Sequence, residues 1–131
     1  MSGIRSYRDL EVWRLAMKLA ASAYRITAAF PVSERYGLAS QLQRSAVSIP
    51  SNIAEGHERD STREFLRFLS ISQGSLAELE TQLMLAAELE LAGSTDIESL
   101  LAVSAELGRM LNGLQTKLKR RLAPPALASG P

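Results

Sequence analysis

Apolar residues recur along this chain at alternating spacings of three and four, the period of a helix face. From Arg8 to about Ala29 they form two adjacent stripes. One is Leu10, Trp13, Met17, Ala20 and Tyr24; the other is Val12, Ala16, Leu19, Ala23, Ile26 and Phe30. Together they make a wider apolar surface than one neighbour in a small bundle covers, so part of it is expected to face another subunit. Arg14, Lys18 and Arg25 line the opposite side. Pro31 ends this first helix, because the residue before a proline avoids the helical region.

A second helix is expected from Ser33, a good N-cap, to about Glu55, with Gly56 as the residue that closes it. Leu38, Leu42, Ala46, Ile49 and Ile53 form its apolar stripe, and Gln41, Ser45, Ser48, Asn52 and Glu55 a polar stripe beside it. Pro50 lies inside and removes one backbone donor, which predicts a kink near Ala46. Two shorter helices broken at Ile49 are the alternative. The kinked helix is favoured because the stripe stays in phase across the proline.

The capping box Ser61-Thr62-Arg63-Glu64 opens a third helix that continues to about Leu91. Its apolar stripe is Phe65, Phe68 or Leu69, Ser72, Leu76, Leu79, Leu83 and Ala86. Gly74, in mid-helix, costs about 1 kcal/mol relative to alanine, and close approach of another helix is its expected reason. After the turn Ala92-Gly93-Ser94, a second capping box, Thr95 to Glu98, opens a fourth helix with the stripe Ile97, Leu100, Ser104, Leu107, Leu111, Leu114 and Leu118. The expected fold is all-α: an antiparallel up-down-up-down four-helix bundle over residues 1–122, with the second helix kinked at Pro50. Residues 123–131 lack periodicity and are expected to form a disordered tail.

A length of 131 residues fits a single domain able to bury its own core. No cysteine is present, which excludes disulfides and thiolate metal sites and fits a reducing compartment. No apolar run approaches the roughly 18 residues that a membrane helix requires, and the N-terminus has no continuous apolar stretch of signal-peptide type. A soluble cytoplasmic protein is expected. Net charge is only +1, too small to mark a nucleic-acid binder by bulk charge. The distribution is uneven: residues 1–30 hold five basic and two acidic side chains, residues 31–91 five and nine, and residues 92–122 five and three. Such asymmetry fits a nucleic-acid face, and it equally fits helices paired with oppositely charged neighbours or subunits. The second explanation is the more economical.

Catalytic patterns are missing. Carboxylate-bridged metal bundles need Glu-x-x-His on two helices, whereas the chain has one histidine, His57, and residue 54 is alanine. No phosphate loop GxxxxGK[ST] and no GxSxG elbow occurs. His57 reads as a solvated residue at a helix C-terminus. No enzyme, metal, cofactor or catalytic residue is therefore expected. The polar stripes of the second and third helices pose a real choice. Asn52 and Glu55, with Ser75, Glu78 and Gln82, could line a ligand pocket or form an acid–base pair. They could also form a structural network, Arg44, Asn52, Glu55, Arg67 and Glu78, that fixes register and assembly, and this is favoured. Trp13 and Tyr24 could stack on bases but fit an apolar core or interface better. Lys117, Lys119, Arg120 and Arg121 suit the negative end of a helix dipole and also suit phosphates.

Several strings resemble the four-helix-bundle family encoded in intervening sequences of bacterial large-subunit ribosomal RNA genes. They are Tyr7-Arg8-Asp9-Leu10-Glu11-Val12-Trp13, Phe30-Pro31-x-x-Glu34-x-Tyr36-Gly37-Leu38, and Gln41-Leu42-x-Arg44-Ser45-Ala46-Val47-Ser48-Ile49-Pro50. Asn52-Ile53-Ala54-Glu55-Gly56, Glu64-Phe65-x-Arg67-Phe68-Leu69 and Gly74-Ser75-Leu76-x-Glu78-Leu79-Glu80 follow. The resemblance implies a bundle that assembles as a ring, a homopentamer, with no established enzymatic activity. A related branch, the accessory proteins of diversity-generating retroelements, implies partners among nucleic acids and a reverse transcriptase. The expected function is a non-enzymatic, ring-forming bundle that binds nucleic acid, RNA or DNA, through Arg14, Lys18, Arg25, Lys117, Lys119, Arg120 and Arg121. A protein–protein scaffold is the alternative.

Overall fold

Four α-helices carry the residues that the computed structural model describes, 3–123: α1 (Glu11–Thr27), α2 (Leu38–His57), α3 (Thr62–Glu88) and α4 (Ser94–Leu122). Short 3-10 turns, Tyr7–Asp9 and Val32–Glu34, precede α1 and α2. No strand occurs among the described residues. The tail expected to be disordered lies outside them beyond Ala123. The helices form a closed square. α1 and α3 each pack against both α2 and α4, no contact crosses a diagonal, and α2–α3 is the most extensive pair. Contacts fix direction: Ser48 meets Ser75, Ile49 meets Ser72 and Gly56 meets Phe68, so α2 and α3 are antiparallel.

The apolar stripes meet in one axial core. All of Leu38, Leu42, Ala46, Ile49 and Ile53 are buried, as are Ile97, Leu100, Ser104, Leu107, Leu111 and Leu118. Phe68, Leu69, Ser72, Leu76, Leu79, Leu83 and Ala86 face them from α3. Each fully buried leucine or isoleucine contributes roughly 1.5–3 kcal/mol relative to exposure. On α1 the stripe from Val12 to Phe30 is buried. The neighbouring stripe is only partly covered: Met17 is 45% and Tyr24 48% exposed.

Helix boundaries and caps depart from the sequence expectation in several places. Ser33 does not cap α2; it lies in the 3-10 turn, and α2 starts five residues further on, at Leu38. The Glu34 carboxylate caps it instead, accepting from the Leu38 N–H at 3.3 Å. Gly56 does not end α2, which continues through it to His57. Gly56 is buried because α3 passes so close that a Cβ there would lie 2.6 Å from the Phe68 Cβ. The α3 capping box is half made: Ser61 Oγ accepts from the Glu64 N–H at 3.2 Å, while the Glu64 carboxylate turns to Arg67. At α4 the second capping box is not used; Gly93 is the N-cap, with no side-chain cap bond. α2 is continuous through Pro50, which is buried.

α3 ends at Glu88 rather than Leu91, in a Schellman motif. The Leu91 N–H reaches Ala86 O at 2.9 Å and the Glu90 N–H reaches Ala87 O at 3.0 Å. Glu90 thereby takes a left-handed φ of 53°, which a residue with a Cβ adopts at a cost. Glu90→Gly is expected to raise the unfolding free energy by about 1 kcal/mol. Gly56→Ala is expected to lower it by roughly 1–3 kcal/mol, because overpacking against Phe68 outweighs the gain in helix propensity. Denaturant titration followed by circular dichroism checks both signs.

Candidate nucleic-acid interface

The last turn of α4 carries Lys119, Arg120 and Arg121, one residue beyond Leu118, the final buried side chain of its stripe. The same periodicity that buries Leu111 and Leu118 sends Lys117, Lys119, Arg120 and Arg121 to the surface. All four are exposed, and among the described residues none is in an ion pair. They surround the C-terminal end of α4, where unpaired carbonyls favour positive charge.

Leu10 and Arg14 lie with Lys117 and Met110, and Leu15 and Ser22 with Val103 and Ser99, so α4 runs antiparallel to α1 and this end lies beside the start of α1. Between them is an open groove of about 1040 Å³. Its floor is apolar, from Leu10, Val12, Met110 and Leu114, and its rim carries Arg14, Lys117 and Arg120. Arg14 is held in place: its Nε donates to Arg8 O at 2.9 Å, and its guanidinium lies 3.7 Å from Asp9. Asp9 and Glu11 also line the groove, so one rim is mixed in sign.

Asp9 organises the entry to α1. Its Oδ2 accepts from the backbone N–H of Arg5 at 2.8 Å and of Ser6 at 3.2 Å. These bonds, the Arg5 one foremost, hold the carboxyl below its ordinary value, and Arg14 adds to the effect. Sequence reasoning missed this clasp, although Ser6-x-x-Asp9 has the spacing of a cap.

The seven predicted contact residues separate into two groups. Arg14, Lys117 and Arg120 share the groove, with Lys119 and Arg121 beside it on the final turn. Lys18 sits further along α1, over a small cavity shared with Ser99, Leu100 and Val103 of the other half of α4. Arg25 is in the last turn of α1, at the opposite end of the bundle. The two ends differ in sign. The halves meeting at the groove end, residues 3–19, 48–75 and 108–123, hold twelve basic and six acidic side chains. The halves at the other end, residues 20–47 and 76–107, hold three and eight, with no Lys or Arg anywhere in 76–107.

The polar stripes of α2 and α3 do meet, but through serines. Ser48 Oγ and Ser75 Oγ are 2.8 Å apart, Asn52 Nδ2 donates to Ser48 O at 2.8 Å, and Ser72 Oγ donates to Ile49 O at 2.9 Å. Glu55 instead pairs locally with Arg59 at 2.8 Å, and Arg67 with Glu64 at 3.2 Å. That bond raises the Arg67 pKa and lowers that of Glu64. Arg59 and Arg67 also lie over the Phe68 ring, at 5.1 and 4.5 Å. Arg44 and Glu78 are both exposed and line a shallow depression of about 350 Å³ with Ser48, Ser75 and Gln82. Trp13 is half-buried, edge-on to Tyr7 at 5.3 Å and packed against the core. His57 is edge-on to Phe65 at 5.5 Å, with Nδ1 3.9 Å from Glu58. Among the described residues no group of three or more His, Asp or Glu could hold a metal ion, and no helix is long and apolar enough to cross a membrane.

These features define an all-α four-helix protein with charge separated along its axis and a basic groove at one end. A family model described as 23S rRNA-intervening sequence protein matches residues 8–113, and the chain belongs to that family. It is similar in fold to a solved protein of unknown function from the S23 ribosomal protein family of Bacteroides thetaiotaomicron. The two share 24% identity at a TM-score of 0.73, covering 79% of this chain and 97% of that one. No curated protein matches the chain.

Asp9 gives this end a testable pH response. Its depressed pKa means that the clasp is fully stabilising above the ordinary carboxylate range and is lost as pH falls through the lower, folded value. Amide NMR of Arg5 and Ser6 is expected to show the turn intact at neutral pH and released only below the ordinary carboxylate range. Asp9→Asn is expected to abolish that transition.

Proposed function

We propose that this protein is a non-enzymatic helical bundle that assembles with copies of itself and binds RNA at the basic end. The observation that carries this reading is the groove where Arg14, Lys117 and Arg120 converge beside the unpaired Lys119 and Arg121. The family description, a 23S rRNA-intervening sequence protein, makes RNA the first nucleic acid to test. Recognition rests on phosphate contacts and shape, since the basic side chains present no base-reading pattern. In a closed ring every copy contributes its basic end to the same side, and the cluster becomes a continuous belt. The resemblance in the sequence implies five copies.

A protein-binding scaffold is the second reading. It is favoured by the acidic end, where Tyr36 and Val32 are 89% and 77% exposed and Leu89 is 54% exposed.

Fluorescence anisotropy with a structured RNA across a salt series tests the RNA reading. Binding is expected at about 50 mM salt, with affinity falling by a log–log slope of roughly 0.7–0.9 per phosphate contact. Changing Lys117, Lys119, Arg120 and Arg121 together to Gln is expected to weaken binding at least about tenfold and to flatten the slope. Absence of binding at low salt, or an unchanged slope in the variant, overturns it.

A further inference from the structure

Gly74, like Gly113 in α4, has no neighbour in the fold that explains it. It sits near the centre of α3, exposed, and a Cβ there would meet nothing within 4 Å. The chain itself does not supply the close neighbour that a mid-helix glycine suggests. Around it the outer face of α3 carries Ile71 and Leu85, 41% and 45% exposed, with Glu78 between them at heptad spacing. Beside this face, in the α2–α3 depression, Gln82 Oε1 is buried without a donor among the described residues.

The outer face of α1 complements it. Met17 and Tyr24, also seven apart, are the uncovered part of its apolar surface. Lys18 and Arg25 flank them, and among the described residues neither is in an ion pair. Residues 12–33 contain three basic side chains and no acidic one; residues 76–107 contain seven acidic side chains and no basic one. One face of the chain is thus apolar with positive flanks, and the C-terminal half of α3, with Glu78, Glu80 and Glu88 and no basic residue, carries the opposite sign.

We propose that α1 of one copy lies along the outer α3 face of the next copy, with Met17 seated at Gly74. This rests on the assembly part of the function proposed above and not on its RNA part. The contact joins two different faces, so it propagates head to tail and closes into a ring when the rotation allows. A closed ring has no rise, so like levels of neighbouring bundles meet. α1 and α3 run parallel, since each is antiparallel to α4: Gln73 meets Gly108 and Glu80 meets Ser104 across α3–α4, while Leu10 lies with Lys117 and Leu19 with Leu100 across α1–α4. Setting their central residues, Leu19 and Ser75, level brings Met17 beside Gly74. The same register places Glu78 between Lys18 and Arg25, about 6 Å along the axis from the first and about 4.5 Å from the second. A glycine there lets the thioether lie flat on the α3 backbone, and burial of Met17, Tyr24, Ile71 and Leu85 drives the contact.

Mass measurement by light scattering, with circular dichroism as a control for folding, tests the seam. The wild type is expected to run as a multimer of the 14.3 kDa chain. Gly74→Arg adds bulk and positive charge opposite α1 while improving helix propensity, and is expected to give a fully helical 14.3 kDa monomer. Lys18→Glu with Arg25→Glu is expected to do the same, and adding Glu78→Lys to that pair is expected to restore the multimer. If Gly74→Arg lost helicity, the charge-swap series would decide alone. A wild-type multimer whose mass survives both Gly74→Arg and the double reversal overturns the seam and leaves assembly standing. A wild-type monomer overturns seam and assembly together. Gly74→Arg removes none of the seven basic residues expected to contact nucleic acid, so RNA binding is read separately on that variant.

Discussion

Close approach of α2 and α3 is the constraint on which the rest of the molecule depends. Gly56 removes the one Cβ that Phe68 could not accommodate. Along the same seam Ser45, Ser72 and Ser75 are buried small residues, and two of them satisfy their hydroxyls across it, on Ile49 O and Ser48 Oγ. Small side chains bring the two helix backbones together, and paired hydroxyls avoid the cost of burying a lone polar group. With that spacing set, Leu42, Ile49, Leu69, Leu79 and Leu83 fill the axis with no detectable exposure. α1 and α4 then close the square against the remaining faces.

The antiparallel arrangement also has an electrostatic consequence. Along the sequence, charge alternates as basic, acidic, basic, a pattern with little evident meaning. Folding sets Arg14, near the start of α1, beside the basic end of α4. It gathers the carboxylates from Glu78 to Glu106 at the opposite end. A net charge of +1 thus conceals two ends of opposite sign. Like charges held together at one end raise the local potential above what net charge suggests, so a nearly neutral chain concentrates positive charge on one part of its surface.

Much of this architecture was legible because burial acts directly on periodicity. The α4 stripe from Ile97 to Leu118 and the α2 stripe from Leu38 to Ile53 were readable residue by residue. The boundaries were less so. Ser33 and Gly56 carry the local signals of a cap and a stop, yet both were reassigned: Glu34 capped α2 through a bond four residues along the chain, and packing against Phe68 claimed Gly56. Glu90 in a left-handed conformation carries no sequence signal at all. For the candidate site, the cluster at Lys117–Arg121 was visible as charge at a helix end. Its union with Arg14, and the separation of Arg25 from it, needed the axial levels that only folding assigns. The polar stripes were seen, but which partners they would choose was not, because serines and arginines reach local and cross-helix partners at similar cost.

Hydrogen–deuterium exchange read by mass spectrometry tests the primacy of the α2–α3 seam most directly. Amides of residues 42–56 and 68–83 are predicted to exchange most slowly, together, and at the rate set by global unfolding. Exchange around Pro50 as fast as that of the final turn of α4, with α1 or α4 holding the slowest amides, would contradict the account.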